Sequence, residues 1–364
     1  MSAALPLQQP AAAPLGAIAK AFLTVSVFGF GGGIVWARRI AVEQRGWLSD
    51  AEFLDIVSLC QFLPGPNIIG IAVCTGTKLR GAPGALAAIA GFLVLPWSGG
   101  LALGVLSLRY AQAPLLRHVL GGVSAAAAGL LIATGLRLLL PHRRRAARHW
   151  PGCTGSSPDG LQPSAATDCA ARAVAAQHCA FYGAPIMKPA SGLLALTFHL
   201  AIVSSISFGG FPTVLPDVRA FVVTMNGWIT DQDFTNIFAM AQAIPGPNMI
   251  LMMGLIGWKV WGLAGALAAS TATFAPPCVI YFTAFHLLRR FQEAHWQRVL
   301  RSALVPVTTG LIIASGIVMA DAAGITWAAV AATGAAAVVT LTTRLNPLWL
   351  LAAGGALGGL GLLA

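Results

Sequence analysis

The residues with the most chemical content come in two matched sets. QFLPGPNIIG begins at Gln61 and QAIPGPNMIL at Gln242, so a side-chain carboxamide stands on either side of each Pro-Gly-Pro break. Upstream lie a glycine-rich turn and an arginine: FGFGGG (with Gly31 and Gly32) before Arg38, and SFGGFP (with Gly209 and Gly210) before Arg219. Downstream of each break stands a lysine, Lys78 or Lys259. Carboxamides donate neutral hydrogen bonds, and arginine grips oxyanions through a planar fork of donors. Glycines let a backbone approach closely. Arg38, Gln61, Pro64, Gly65, Pro66 and Asn67, with Arg219, Gln242, Pro245, Gly246, Pro247 and Asn248, therefore form a candidate anion-binding set. Gly31, Gly32, Lys78, Gly209, Gly210 and Lys259 are secondary candidates. A plainer role is open to each: arginines at the interface, lysines as topology signals, and Pro-Gly-Pro as a packing device.

Other chemistries are poorly served. Only eleven Asp and Glu occur, and none sits well inside an apolar run. Membrane cation carriers place acids at depth, so a divalent-cation carrier is disfavoured. No HExxH, intramembrane Asp pair or Ser-His combination is visible, so no enzyme is expected. Asp55 and Asp217 are the nearest candidates for proton coupling. The six cysteines form no CxxC pair, and the His and Cys spacing suits no metal. FGGG follows no strand, so neither a dinucleotide fold nor any other cofactor is indicated. The net charge of +11 reflects positive loops of a membrane protein rather than nucleic-acid binding.

What must position these residues is a set of membrane helices. Of 364 residues, 57% are hydrophobic and 9% charged, against about 25% charged in soluble domains. Apolar runs such as Ala82–Leu108, Val119–Leu140 and Leu263–Leu288 reach the ~20 residues a crossing helix needs. The N-terminus lacks a positive n-region and is expected to be retained. Shifting the chain by 181 residues lays Gln61 on Gln242 without a gap, and from Gly46 to Pro96 roughly twenty of about fifty positions are identical. The chain thus divides into an N-terminal half (1–140), a polar basic connector (141–190) and a C-terminal half (191–364). The connector reads either as a basic loop or as a locally altered reading frame. Duplicated halves around a midplane site are a common transporter construction.

Ser49-Asp50-Ala51-Glu52 and Thr230-Asp231-Gln232-Asp233 have capping-box spacing, preceded by interfacial Trp47 and Trp228. Each cap predicts a helix that stops before Pro64 or Pro245 and a short second helix beginning at Pro66 or Pro247. The pair either crosses as a discontinuous helix or returns as a re-entrant hairpin. Re-entrant segments divide the 22 Lys and Arg about 17 to 5 between the two sides, crossing ones about 11 to 11. The favoured reading is an all-α polytopic membrane protein with two inverted homologous halves. It has about eight crossings plus two re-entrant segments, ten crossings if these cross, with the N-terminus outside. The short helices then aim N–H-rich, positive ends at the membrane centre, which makes an anion site.

The pattern FGGG…RGWLSDAEFLDIVSLCQFLPGPN…GTKLRGAPGALAA…LP, with its second copy, resembles the chromate transporter family. The signature positions are Gly31–Gly32, Arg38, Gln61, Pro64–Asn67, Gly81 and Pro96. Their partners are Gly209–Gly210, Arg219, Gln242, Pro245–Asn248, Gly262 and Pro277. Gly33 and Ile34 follow where the family usually continues Gly-Gly-Pro, and the connector lacks the apolar helices expected there. The resemblance implies a multi-pass bacterial inner-membrane carrier that exports chromate with the proton-motive force and confers chromate resistance. Its halves would be opposed in orientation. The expected partners are a tetrahedral oxyanion (chromate, or sulfate of like shape) and the lipid bilayer, with no nucleic acid and a homodimer left open. A carrier of another anion and a non-transporting scaffold or sensor are the alternatives.

Overall fold

A computed structural model describes residues 13–28, 33–109, 113–149, 192–244, 246–288, 309–321, 326–343 and 347–362. Gly31, Gly32, Pro245 and connector residues 150–190 lie outside this set. Among the described residues every regular element is helical.

The duplication is visible cap by cap. Each half opens on an apolar helix, α1 (Leu15–Phe28) or α6 (Gly192–Ser205). Short α2 (Gly33–Arg38) runs into a π-helical turn (Arg39–Gln44), as α7 (Leu215–Arg219) does into Ala220–Met225. Both turns end at left-handed glycines, Gly46 (φ 59°) and Gly227 (φ 61°). The next helices, α3 (Asp50–Phe62) and α8 (Asp231–Ala243), start on complete capping boxes: Ser49 with Glu52, and Thr230 with Asp233. Both end where a proline follows. Leu63 (ψ 148°) and Ile244 (ψ 134°) are extended, because the ring of a following proline excludes the helical region.

The second helices, α4 (Asn67–Arg109) and α9 (Asn248–Leu288), are each bent sharply in the middle. Helical geometry fails at Arg80–Gly81 and at Trp261–Gly262, where the glycines have φ 63° and 61°. The chain folds back on itself there. A Cβ on Gly84 would lie 2.1 Å from the Gly76 carbonyl oxygen, and one on Gly265 would lie 2.1 Å from that of Gly257. Each helix is therefore an antiparallel hairpin with a short limb (67–79 or 248–260) and a long limb (82–109 or 263–288). The short limbs pack against the long limbs of the other half. Gly246 lies against Pro96, Gly100 against Leu251 and Gly104 against Leu255, while Gly65 lies against Pro277 and Gly70 against Tyr281. Residue numbers rise together along both seams, so each short limb runs in the same direction as the long limb it touches. Trp97 Nε1 also donates to Ser270 Oγ at 2.9 Å across the two halves.

Outside this centre, α5 (Pro114–His149) packs on α8, α11 (Trp327–Thr342) and α12 (Pro347–Gly359). Small residues bring these backbones together: Gly122 against Gly354, Gly358 against the His118 carbonyl, Gly129 against the Thr333 carbonyl. Helix α10 (Thr309–Asp321) meets α5 through Gly316 at Ile132 and Gly135 at Ile313. Helix α5 continues past residue 140 to His149, so the expected start of the connector at 141 falls inside a helix.

Among the described residues three helices are long and apolar enough to cross a membrane: Asn67–Leu108, Leu115–Arg137 and Asn248–Leu287. Leu86, Val94, Leu95 and Leu103 of α4 are exposed along its outer side, as a lipid-facing helix requires. Five further apolar helices are 10–17 residues long, shorter than the ~20 residues of a full crossing. Of the eight expected crossings, length alone thus carries three.

The hairpin geometry separates two kinds of glycine. Gly84→Ala and Gly265→Ala should each prevent folding, read as loss of a monodisperse peak on size exclusion in detergent. Gly81→Ala meets no atom within 4 Å and should cost only the left-handed strain, about 1–2 kcal/mol, leaving the peak intact with a lower melting temperature.

Candidate functional site

Between the halves lies a cavity of about 370 Å³, far above the roughly 10–15 Å³ that one water occupies by the same kind of measure. Both Pro-Gly-Pro breaks open on it. Pro66 and Asn67 line it from one half and Gly246, Pro247 and Asn248 from the other. Gly209, Gly210, Phe211 and Pro212 form a third wall, and Ser26, Gly33 and Phe92 complete the polar and aromatic lining.

The local sequence explains why the wall is rich in donors. A helix that starts at Asn67 or Asn248 leaves its first N–H groups without an intrahelical partner. Proline at the preceding position suits such a start, because it has no N–H to lose. Among the described residues no acceptor faces the N–H of Asn67, Ile68, Met249 or Ile250; the first intrahelical bonds are Ile69 and Gly70 to Pro66 and Leu251 to Pro247. Two helix ends, each carrying roughly half a positive charge, therefore face one space. Among the described residues no charged side chain lines it.

Side chains sharpen the site in one half. Ser26 Oγ and Asn67 Oδ1 are buried and, among the described residues, make no hydrogen bond. The Ser26 residue is 4% exposed. Turning the Asn67 carboxamide over presents its Nδ2 donors to the same space. The equivalent groups in the other half are engaged. Ser207 Oγ donates to the Ser204 carbonyl (3.0 Å), and Asn248 Nδ2 donates to Gln242 Oε1 (3.2 Å). Unpartnered buried polar atoms are costly, so the two halves differ in how their cavity-lining polar groups are satisfied. Ser26 was not a sequence candidate, because a serine in an apolar helix more often bonds its own backbone. Its position 181 residues before Ser207 was the available signal.

The other candidates are placed as follows. Gly65 is buried against Pro277, and its N–H donates to the Ser207 carbonyl at 3.0 Å. Gly65, Gln61 and Pro64 lie at the break but outside the cavity lining, and Gln242 reaches the cavity through Asn248. Gly209 (φ 84°) and Gly210 (φ 105°) line the cavity in a conformation that side chains rarely adopt. Gly31, Gly32 and Pro245 fall outside the described residues. The four basic candidates are not brought to the cavity. Arg38 holds Asp50 (2.6 Å) and Glu43 (2.6 Å), Arg219 holds Asp231 (2.6 Å), Lys78 holds Glu52 (2.5 Å) and Lys259 holds Asp233 (2.7 Å). These pairs gather at the first turns of α3 and α8, a whole 13-residue helix from the breaks, or ~20 Å at 1.5 Å per residue.

The pairing has electrostatic consequences. The Asp50 hydrogen bond raises the Arg38 pKa above its ordinary value. The Lys78 hydrogen bond, with the Ser49 backbone, lowers that of Glu52. For Asp233 burial is the largest effect and opposes ionisation, but the bonds from Lys259 and Thr230 together outweigh it and lower the pKa. Asp55 is exposed on α3, and Asp217 lies 2.9 Å from His199. Cys60, Cys74 and Cys278 are free thiols, and no group of residues suited to a metal ion occurs among the described residues.

Two duplicated helical halves, closed around a shared cavity, define a class: all-α membrane proteins built from internal repeats. The family within that class follows from comparison. The chromate transporter family model matches residues 16–189 and 194–359, and the chain belongs to that family. It is 26% identical to the chromate transport protein of Cupriavidus metallidurans over 287 residues, 71% of each chain. It is 28% identical to the chromate transport protein of Pseudomonas aeruginosa over 292 residues, covering 70% of this chain and 69% of that one. A shorter match, to the uncharacterized transporter YwrB of Bacillus subtilis, is 36% identical over 84 residues, 23% of this chain and 43% of that protein. No solved structure matches.

The asymmetry of the lining generates a test. Ser26→Ala should raise the KM for oxyanion uptake into proteoliposomes about tenfold or more, the scale of a hydrogen bond to a charged group. Ser207→Ala, whose hydroxyl is already engaged, should stay within about twofold of wild type.

Proposed function

We propose that this protein is a secondary transporter that exports chromate, a tetrahedral divalent oxyanion, across the bacterial inner membrane using the proton-motive force. The observation that carries the proposal is the cavity shared by the helix starts at Asn67 and Asn248. In a family of chromate transporters, a space lined by unpartnered N–H groups, Ser26 and Asn67 suits an anion stripped of water. Backbone dipoles are pre-oriented, so the anion is held without reorganising the protein. With no lysine or arginine among the described residues of the wall, the anion is held without an ion pair and is released readily, as a carrier requires.

In this reading the halves are inverted about the cavity. Contact directions support the arrangement: each short limb is antiparallel to its own long limb and parallel to the long limb of the other half. The two short limbs then run in opposite directions away from the cavity, and their positive ends meet there. In the same reading α3 with limb 67–79, and α8 with limb 248–260, enter and return on the same side, since each limb of 13 residues reaches only ~20 Å into a ~30 Å core. Alternating access then consists of one half rocking against the other around the shared site. Arg38 and Arg219 act at the surface, holding the entrance of α3 and α8 to α2 and α7.

Everted membrane vesicles test the reading. Wild type should accumulate chromate when a pH gradient is imposed, sulfate should compete, and Asn67→Leu and Asn248→Leu should each reduce uptake by at least tenfold while the protein reaches the membrane in normal amount. Uptake unchanged in both single variants and in the double would remove the site assignment. Absence of flux for wild type in purified proteoliposomes would favour a non-transporting role.

A further inference from the structure

The second half contains a titratable pair that the first half lacks. His199 Nε2 lies 2.9 Å from Asp217 Oδ2, with the side chains 13% and 25% exposed. Shifted by 181 residues, the equivalent positions are Ile18 and Trp36, so no such pair can form in the first half. Ionisable residues inside a membrane protein are expensive, and an unduplicated pair in a duplicated fold calls for a role of its own.

Its place in the chain supplies that role. His199 is on α6 and Asp217 on α7, and the segment between them carries Gly209, Gly210, Phe211 and Pro212, the third wall of the cavity. The pair therefore clamps the two flanks of a cavity-lining segment, and that segment contains two consecutive left-handed glycines as a flexible point (φ 84° and 105°). The His199 ring stacks on Phe221 (centroids 3.8 Å apart, planes at 5°). Phe221 meets Trp228 edge-on, and Trp228 meets Trp261 at the bend of the α9 hairpin. A change at His199 thus bears on both the cavity wall and the hairpin whose start faces the ligand. The other charged or titratable groups on the surrounding elements are Arg219 on α7, Asp231 and Asp233 on α8, and Lys259, Cys278, Tyr281 and His286 on α9, of which Tyr281 packs against Gly70 of the first half. The first four are committed to the Arg219–Asp231 and Lys259–Asp233 pairs, and His286 lies against the Phe282 carbonyl.

We propose that His199 and Asp217 are the proton-binding positioning pair of the transport cycle. With His199 protonated and Asp217 ionised, the pair holds segment 200–216 closed against the cavity; loss of the His199 proton, or protonation of Asp217, releases it. Gain or loss of a proton at either group changes the charge that holds the two together, so the pair is suited to respond to a proton gradient across the membrane. The inference rests on the transport reading above and adds to it which residues carry the proton.

Purified full-length protein in proteoliposomes separates the two ideas through two assays. The first is exchange of labelled chromate for unlabelled chromate at equal pH on both sides, repeated from pH 5.5 to 8. The second is net accumulation driven by a pH gradient. His199→Gln and Asp217→Asn should keep exchange within about threefold of wild type, lose its pH dependence, and lower gradient-driven accumulation at least tenfold. The swapped double variant H199D/D217H, which keeps the pair, should recover part of the pH dependence and guards against misfolding of a single variant. Gradient-driven accumulation retained in both single variants overturns the proposal. So does parallel loss of exchange and accumulation in both, with no recovery in the swap, because a merely structural role would produce it. Wild-type exchange without response to a pH gradient overturns the proton role and leaves transport standing. No wild-type exchange at all sinks the transport reading itself.

Discussion

A peptide N–H in a low-dielectric interior must find an acceptor, and the first turn of a helix has none to offer. The rest of this protein is arranged around two such turns, at Asn67 and Asn248. In lipid they would be intolerable. Here they share a cavity walled by protein, where an anion or water can take the place of the missing carbonyls. The breaks that create them are made by prolines, which end α3 and α8 and permit the following helices to start without a donor.

Bringing both starts to one place requires closely packed backbones. Gly76 and Gly84, and again Gly257 and Gly265, let each hairpin close at carbonyl contact, and Pro96 and Pro277 back the glycine of the opposite break. The charged residues are kept to the far ends of α3 and α8, paired with the acids of the capping boxes. Such a division keeps full charge near water, where it costs least, and leaves the centre to dipoles.

Duplication does not make the halves equivalent. Ser26 and Asn67 present unsatisfied atoms to the cavity, whereas Ser207 and Asn248 are engaged within their own half. The His199–Asp217 pair occurs only in the second half. In the proposed cycle one half contacts the ligand and the other responds to a proton, a division of labour that the repeat permits once each copy needs to do only part of the task.

Local patterns in the sequence determined the helical class, the duplicated halves, both capping boxes and the stops before Pro64 and Pro245. These depend on residue type and near neighbours, whose effects are short-ranged: a proline excludes its predecessor from the helix whatever else the chain does. The length of α5 was not legible, because a basic run continues a helix as readily as it ends one. Tertiary structure alone decided where the arginines point, since Arg38 could have reached a ligand or Asp50 and only the approach of α2 to α3 brings the acid to 2.6 Å. It alone joined two breaks 181 residues apart into one cavity, and it alone set Ser26 in the wall and His199 beside Asp217. Long-range packing has no signature in spacing: its contacts are chosen by which surfaces meet, and that is known only when the chain has folded.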